Sequence, residues 1–207
     1  MPDFSDLTDR KRSTRGELIA ARRSRPPATR AAAAAAVQTA LRDLVRAARP
    51  TTITGYAPMP AEPGGPDLPE ALAGALGGEG RLLLPVLLPD LDLDWAEFGG
   101  PTSLAENALG PREPVGPRLG RDAVSSAQLL IVPALAVDRA GVRLGRGGGS
   151  YDRALARAAP DARIVALLDD GELVDALPAE PHDRRVHAVV TPADGLITLG
   201  GGTTGPE

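Results

Sequence analysis

The chain has 207 residues, a net charge of −4 and no cysteine. That length fits one substantial domain, and the acidic balance excludes generic nucleic-acid binding, which needs basic excess to displace counterions. Without cysteine there are no disulfides, no thiolate catalysis and no cysteine-based zinc site, and two histidines, His182 and His187, are too few for a histidine-rich metal site.

Residues 1 to about 25 read as a short polar lead and a helix, ended by Pro26-Pro27. Lys11 and Arg15 lie four apart and share one helical face. A second helix, Thr29 to Ala48, contains an alanine tract of high intrinsic propensity, and Pro50 closes it. Thr51 to Tyr56 reads as a strand, followed by a Pro- and Gly-rich loop, Ala57 to Pro66, with one acid, Glu62. Asp67 to Leu76 is a short helix. Arg81 to Leu87 has the continuous apolar character of a strand buried on both faces, the parallel-sheet pattern. Leu93 to Phe98 reads as an edge strand, and Gly99 to Gly120 as a long irregular segment of the kind that carries function.

Gln128 to Pro133 is the next buried strand, and Asp152 to Ala159 a helix with an acid in its first turn. Between them stand four glycines in five positions, Gly145 and Gly147 to Gly149, among Arg143, Arg146 and Arg153. A glycine loop between strand and helix offers backbone N–H groups to a phosphate, and arginines add donors. The same run read alone is a linker. It is neither a G-x-x-x-x-G-K-[ST] loop nor a G-x-G-x-x-G dinucleotide turn, because position 150 is Ser. Arg163 to Leu168 and His187 to Thr191 are further core strands, flanking a loop from Pro178 to Arg185 that holds His182 and Asp183. The glycine-rich end from Gly200 reads as a disordered tail.

Strands and helices alternate, which predicts a single α/β domain over residues 1–199: a mainly parallel, twisted sheet sandwiched between helices, with ligands at the carboxyl ends of its strands. Aromatic residues make up 2% of the chain, so the core must be aliphatic. No apolar run approaches the roughly 18 residues of a membrane span, and the charged start is unlike a signal peptide, so the expected compartment is the cytoplasm. Lys11 is the chain's lone lysine beside 22 arginines. Composition leaves open whether that is chance or a need for a compact ammonium.

The run Arg143-Leu144-Gly145-Arg146-Gly147-Gly148-Gly149-Ser150-Tyr151-Asp152-Arg153 resembles the signature of the 5-formyltetrahydrofolate cyclo-ligase family. Lys11 to Arg15, Met59-Pro60-Ala61-Glu62, Gly110-Pro111-Arg112-Glu113-Pro114 and His182-Asp183 are similar to further family segments in order and spacing. The likeness runs from about residue 10 to 192. The resemblance implies ATP-dependent cyclisation of 5-formyltetrahydrofolate to 5,10-methenyltetrahydrofolate, with release of ADP and phosphate. It implies ATP binding by Lys11, Arg12, Ser13, Thr14 and Arg15 and by Arg143, Leu144, Gly145, Arg146, Gly147, Gly148, Gly149, Ser150 and Tyr151. Lys11, Arg15 and Arg146 carry the expected catalytic roles. Folate binding falls to Ala57, Glu62, Leu109, Arg146 and Ser150, and Mg²⁺ binding to Asp152 and Asp183.

Three positions depart from the family's usual residues: Ser150 and Leu109, where aromatics are usual, and His187, where an acid is common. The two histidines are read as structural. A monomer is expected, with neither nucleic acid nor membrane as partner. Two other readings stay open: a phosphate-ligand binding protein without turnover, and a sugar-phosphate enzyme of related α/β type.

Overall fold

The apolar runs pair into one seven-stranded sheet in the computed structural model, which describes residues 4–106, 110–179 and 184–200, with side chains from residue 11 onward. The elements begin with α1 (Phe4–Ser24), α2 (Pro27–Ala48), β1 (Thr52–Thr54), α3 (Leu68–Leu76), β2 (Arg81–Leu87) and β3 (Leu93–Glu97). Two short strands follow, β4 (Leu104–Ala105) and β5 (Glu113–Pro114), then β6 (Leu129–Pro133), β7 (Ala136–Asp138), β8 (Arg143–Leu144) and α4 (Ser150–Ala156). The chain continues through β9 (Arg163–Leu167), β10 (Leu173–Val174), β11 (Ala188–Thr191) and β12 (Gly195–Thr198).

The large sheet runs β12-β11-β9-β6-β1-β2-β3. Its five central strands are parallel, in registers such as Ile53↔Leu82 and Ile131↔Val165, and both edges are antiparallel. This is the mainly parallel α/β sheet expected, and β3 is the expected edge. The strands carry apolar residues on both faces. Leu129 and Ile131 of β6, with Val165 and Leu167 of β9, pack under α2 and α3 against Val37, Leu41, Leu68 and Leu72. Leu130, Val132, Ile164 and Ala166 face the other side, against Val124, Ala154 and Leu155. Helices therefore cover one face, and α4 with a 3₁₀ turn at Arg121–Ser126 covers the other.

Three details differ from the expectations. The first strand is three residues long and ends before Gly55, where a Cβ would lie 2.8 Å from Leu72 Cδ1. The strand that feeds the glycine loop is β8, not the strand at 128–133. A hairpin, β7–β8, intervenes, and with β10 it forms a separate three-stranded sheet. Asp138 Oδ1 closes that hairpin by accepting the N–H groups of Ala140 and Val142 at 2.9 and 2.8 Å. Finally, α4 starts at Ser150 and ends at Ala156, and β12 continues from β11 as an antiparallel edge. The tail at 201–207 lies outside the described residues.

Candidate active site

Strand order reverses between β1 and β6. Chain order proceeds outward through β2 on one side and through β9 and β11 on the other. Loops leaving such neighbours part at their carboxyl ends and open a crevice. A cavity of about 560 Å³ occupies this place. Its walls include Tyr56 and Ala57 beyond β1, Pro133 to Leu135 at the end of β6, Leu87 of β2, and Gly145 to Asp152.

Gly147 and Gly149 hold φ of +100° and +68°, which favours glycine at both, while Gly148 has no such constraint. Gly149 is the N-cap of α4. Arg15 crosses from α1 and donates from Nε to the Gly145 carbonyl at 2.9 Å, with its guanidinium lying against Gly147. The helix places Lys11 and Arg15 on the cavity, as their spacing predicts, whereas Arg12, Ser13 and Thr14 are not among its walls. Ser13 instead donates to Glu17 Oε1 on the exposed side.

The arginines of the glycine motif divide. Arg143, with only 4% of its side chain exposed, donates from Nη2 to Asp152 Oδ1 at 2.6 Å and lies 5.8 Å from the Tyr151 ring centre. Arg153 donates to the carbonyls of Leu91 and Gly148 at 2.7 and 2.8 Å, tying the glycine loop to the β2–β3 turn. Both therefore brace the loop. Arg146 is exposed and meets the acid of the Pro-Gly loop: its Nε lies 3.0 Å from Glu62 Oε1. The Glu62 side chain is 8% exposed, and its Oε2 accepts the Met59 N–H at 2.9 Å.

The Tyr151 hydroxyl is buried without a hydrogen-bond partner among the described residues. Burial above all, and then the negative charge of Glu62, push this phenol far above its ordinary pKa, with Arg143 partly opposing. It stays protonated, and the residue lines the cavity.

Asp152 lines the cavity with its side chain one-third exposed and one oxygen held by Arg143. A single oriented carboxylate beside the glycine loop fits Mg²⁺, which usually takes one or two carboxylates together with phosphate oxygens and water. Among the described residues no group of three or more His, Asp or Glu side chains could hold a metal. Asp183, His182 and Leu109 lie outside the described residues. His187 is structural, as expected: its Nδ1 accepts the Ile164 N–H at 2.9 Å. Burial, helped by Arg184 and Arg163, lowers its pKa and favours the neutral ring.

Sequence reasoning missed Arg22, which is buried and lines the same cavity. Its signal was present: it follows Arg15 by seven residues, on the face that carries Lys11. No helix among the described residues is long and apolar enough to cross a membrane.

A mainly parallel sheet whose switch-point crevice holds a glycine loop, three cations from an N-terminal helix and a largely covered acid is the architecture of an α/β protein with a polar, charged cavity at its strand ends. The comparisons narrow that class. The model of the 5-formyltetrahydrofolate cyclo-ligase family matches residues 7–192. The 5-formyltetrahydrofolate cyclo-ligase of Mycolicibacterium smegmatis is 41% identical over 194 residues, covering 91% of this chain and 97% of that protein. The Escherichia coli K12 protein of the same name is 36% identical over 116 residues, 55% of this chain and 64% of its own. Among solved structures, the Aquifex aeolicus 5,10-methenyltetrahydrofolate synthetase aligns with a TM-score of 0.76 at 25% identity, covering 95% of this chain and 96% of the other. A Mycoplasma pneumoniae 5,10-methenyltetrahydrofolate synthetase shares the fold, with a TM-score of 0.67 at 16% identity over 86% of this chain and 96% of its own. The chain belongs to the 5-formyltetrahydrofolate cyclo-ligase family and is a ligase of folate one-carbon metabolism.

Proposed function

We propose that this chain converts 5-formyltetrahydrofolate and ATP to 5,10-methenyltetrahydrofolate, ADP and phosphate, by phosphorylating the formyl oxygen. The observation that carries the reading is the meeting of the glycine loop and Glu62 in one cavity, bridged by Arg146.

A formamide oxygen is a poor leaving group. Transfer of the γ-phosphoryl group breaks its bond to the β-phosphate oxygen and forms a P–O bond to the formyl oxygen. The N10 amine then donates its electron pair to the formyl carbon, the N10 proton is lost, and the C–O bond breaks as phosphate departs. The amidinium ring that remains is the methenyl product. No protein nucleophile is required, which suits a chain without cysteine.

Phosphoryl transfer depends on positioning and charge neutralisation. Lys11 and Arg15 flank the glycine loop and serve the phosphates, while the backbone N–H groups from Gly145 to Ser150 cradle them. Arg146 reaches from that loop toward the folate and steadies charge on the transferring group. Glu62 accepts hydrogen bonds from the pterin, and Ala57, Leu109 and Ser150 shape its pocket. Asp152, with Asp183, holds Mg²⁺, which supplies charge neutralisation at the phosphates. The reading is of a monomer acting on small molecules in the cytoplasm.

The test is ADP release measured with and without 5-formyltetrahydrofolate, together with the appearance of the methenyl chromophore. Folate-dependent ADP release with matching product is expected. Nucleotide binding without turnover would overturn the proposal.

A further inference from the structure

Helix α1 carries Lys11 and Arg15, and among its described side chains, residues 11 to 24, no apolar one is fully buried; Leu18 and Ile19 are half-buried. Among its residues 11 to 24 one side chain is buried, that of Arg22, at 3% exposure. A surface helix ordinarily seats itself by burying hydrophobic residues. Over residues 11 to 24 the most deeply seated side chain is instead a guanidinium. Arg22 Nε donates to Glu172 Oε1 at 2.8 Å and Nη2 to Glu172 Oε2 at 2.6 Å, a two-pronged pair. Nη2 also donates to the Ala134 carbonyl at 2.6 Å, at the end of β6.

The acid beneath it is equally fixed. Glu172 is 4% exposed, and its Oε2 accepts the Asp169 N–H at 2.7 Å. The Glu172 carbonyl accepts the Val137 N–H of β7 at 3.1 Å, and β7 pairs with β8, which runs straight into the glycine loop. Arg25 adds a bridge to Asp169 at 2.6 Å. One clasp thus joins the helix that bears Lys11 and Arg15 to the small sheet that bears the loop they face.

Buried ion pairs contribute little net stability, since their desolvation offsets their attraction, but losing one partner leaves an uncompensated charge. What a bidentate arginine does impose is orientation. Lys11, Arg15 and Arg22 share a helical face, so the orientation of Arg22 sets that of the other two.

We propose that Arg22 is a positioning residue for nucleotide binding: its bidentate pair with Glu172 sets the tilt and register of α1, and through them the reach of Lys11 and Arg15 to the ATP phosphates. The inference rests on the reading that Lys11 and Arg15 serve ATP.

Calorimetric ATP affinity with Mg²⁺ tests it on the full chain, with Michaelis constants for both substrates as a second readout. Arg22→Met is expected to weaken ATP by at least about fivefold while the constant for 5-formyltetrahydrofolate moves less than about twofold. In a Lys11→Ala/Arg15→Ala background the same change is expected to cost less than about twofold, because the groups it acts through are gone. If Arg22→Met does not fold, Glu172→Gln, which keeps the shape, is expected to weaken ATP by at least about twofold with the same background dependence. A smaller effect of the variant on ATP, equal losses in both backgrounds or equal losses for both substrates would overturn the proposal. Wild-type ATP affinity in Lys11→Ala/Arg15→Ala would overturn the parent reading, and the inference with it.

Discussion

Glu62 and Arg146 stand 84 residues apart in the chain and form an ion pair, Nε to Oε1 at 3.0 Å, across the cavity of the candidate site. The pair joins the loop after β1 to the glycine loop after β8. Glu62 holds a second bond to the Met59 N–H, so its carboxylate is oriented whether or not Arg146 stays. Arg146 is 43% exposed and has room to turn toward a phosphate.

Replacing Glu62 by Gln is expected to raise the Michaelis constant for 5-formyltetrahydrofolate by at least about tenfold, since hydrogen bonds to a charged acceptor contribute about 1.5–3 kcal/mol. The constant for ATP should change by less than about threefold. Steady-state kinetics with each substrate varied in turn checks this, and an equal rise in both would place Glu62 elsewhere.

The glycines of the loop are expected to differ from one another. At Gly147, φ is +100°, a backbone conformation that a β-branched side chain strains, so Gly147→Val should abolish detectable nucleotide binding. Read from sequence, Gly148 looks equivalent. In the fold it has an ordinary φ, and a Cβ there meets only Ser150 Oγ, at 3.4 Å. Gly148→Ala should therefore keep ATP affinity within about threefold. Calorimetry on the two variants separates them, and equal losses would mean the whole run acts as one flexible segment.

Lys11 stands on the cavity wall with Arg15. If its ammonium neutralises charge during transfer, Lys11→Ala should lower turnover at least about tenfold, equivalent to roughly 1.4 kcal/mol of barrier. Lys11→Arg keeps the charge but changes shape and hydration, and should also be impaired. Wild-type turnover in Lys11→Arg at saturating substrates would remove any specific role for this lysine.

Asp92 anchors the turn between β2 and β3. Its Oδ1 accepts Arg157 Nη2 at 2.6 Å and the Leu93 N–H at 2.8 Å, and its Oδ2 lies 3.1 Å from Arg121 Nη1. Burial opposes its ionisation. The bonds from Arg157 and Leu93, with the charges of Arg157 and Arg121, outweigh that and hold the carboxyl below its ordinary pKa. The unfolded chain therefore binds this proton more tightly than the folded one. The resulting stability is present above the unfolded value of about 3.9 and is lost as pH falls through the folded value. Urea unfolding of wild type and Asp92→Asn should show a steady gap from about pH 7 to 5 that closes below about 4. A gap independent of pH would exclude the charge as its source.

The parallel core was legible because strands buried on both faces need continuous apolar runs, and 81–87, 128–133 and 163–168 have them. The cationic face of α1 was legible from a spacing of four. The glycine loop was legible as a tight turn between strand and helix, since Gly147 and Gly149 adopt positive φ, which favours glycine. The small sheet was not. Strands of two or three residues, such as β8 and β10, are too short to show a period, and their pairing is decided by the hairpin that Asp138 closes. Nor did sequence distinguish Arg143 and Arg153, which brace the loop, from Arg146, which faces across the cavity. Local periodicity records which face of an element is apolar. It carries no record of which carboxylate a guanidinium will meet, because Arg22 and Glu172 are 150 residues apart and come together only when α1 settles over the strand ends.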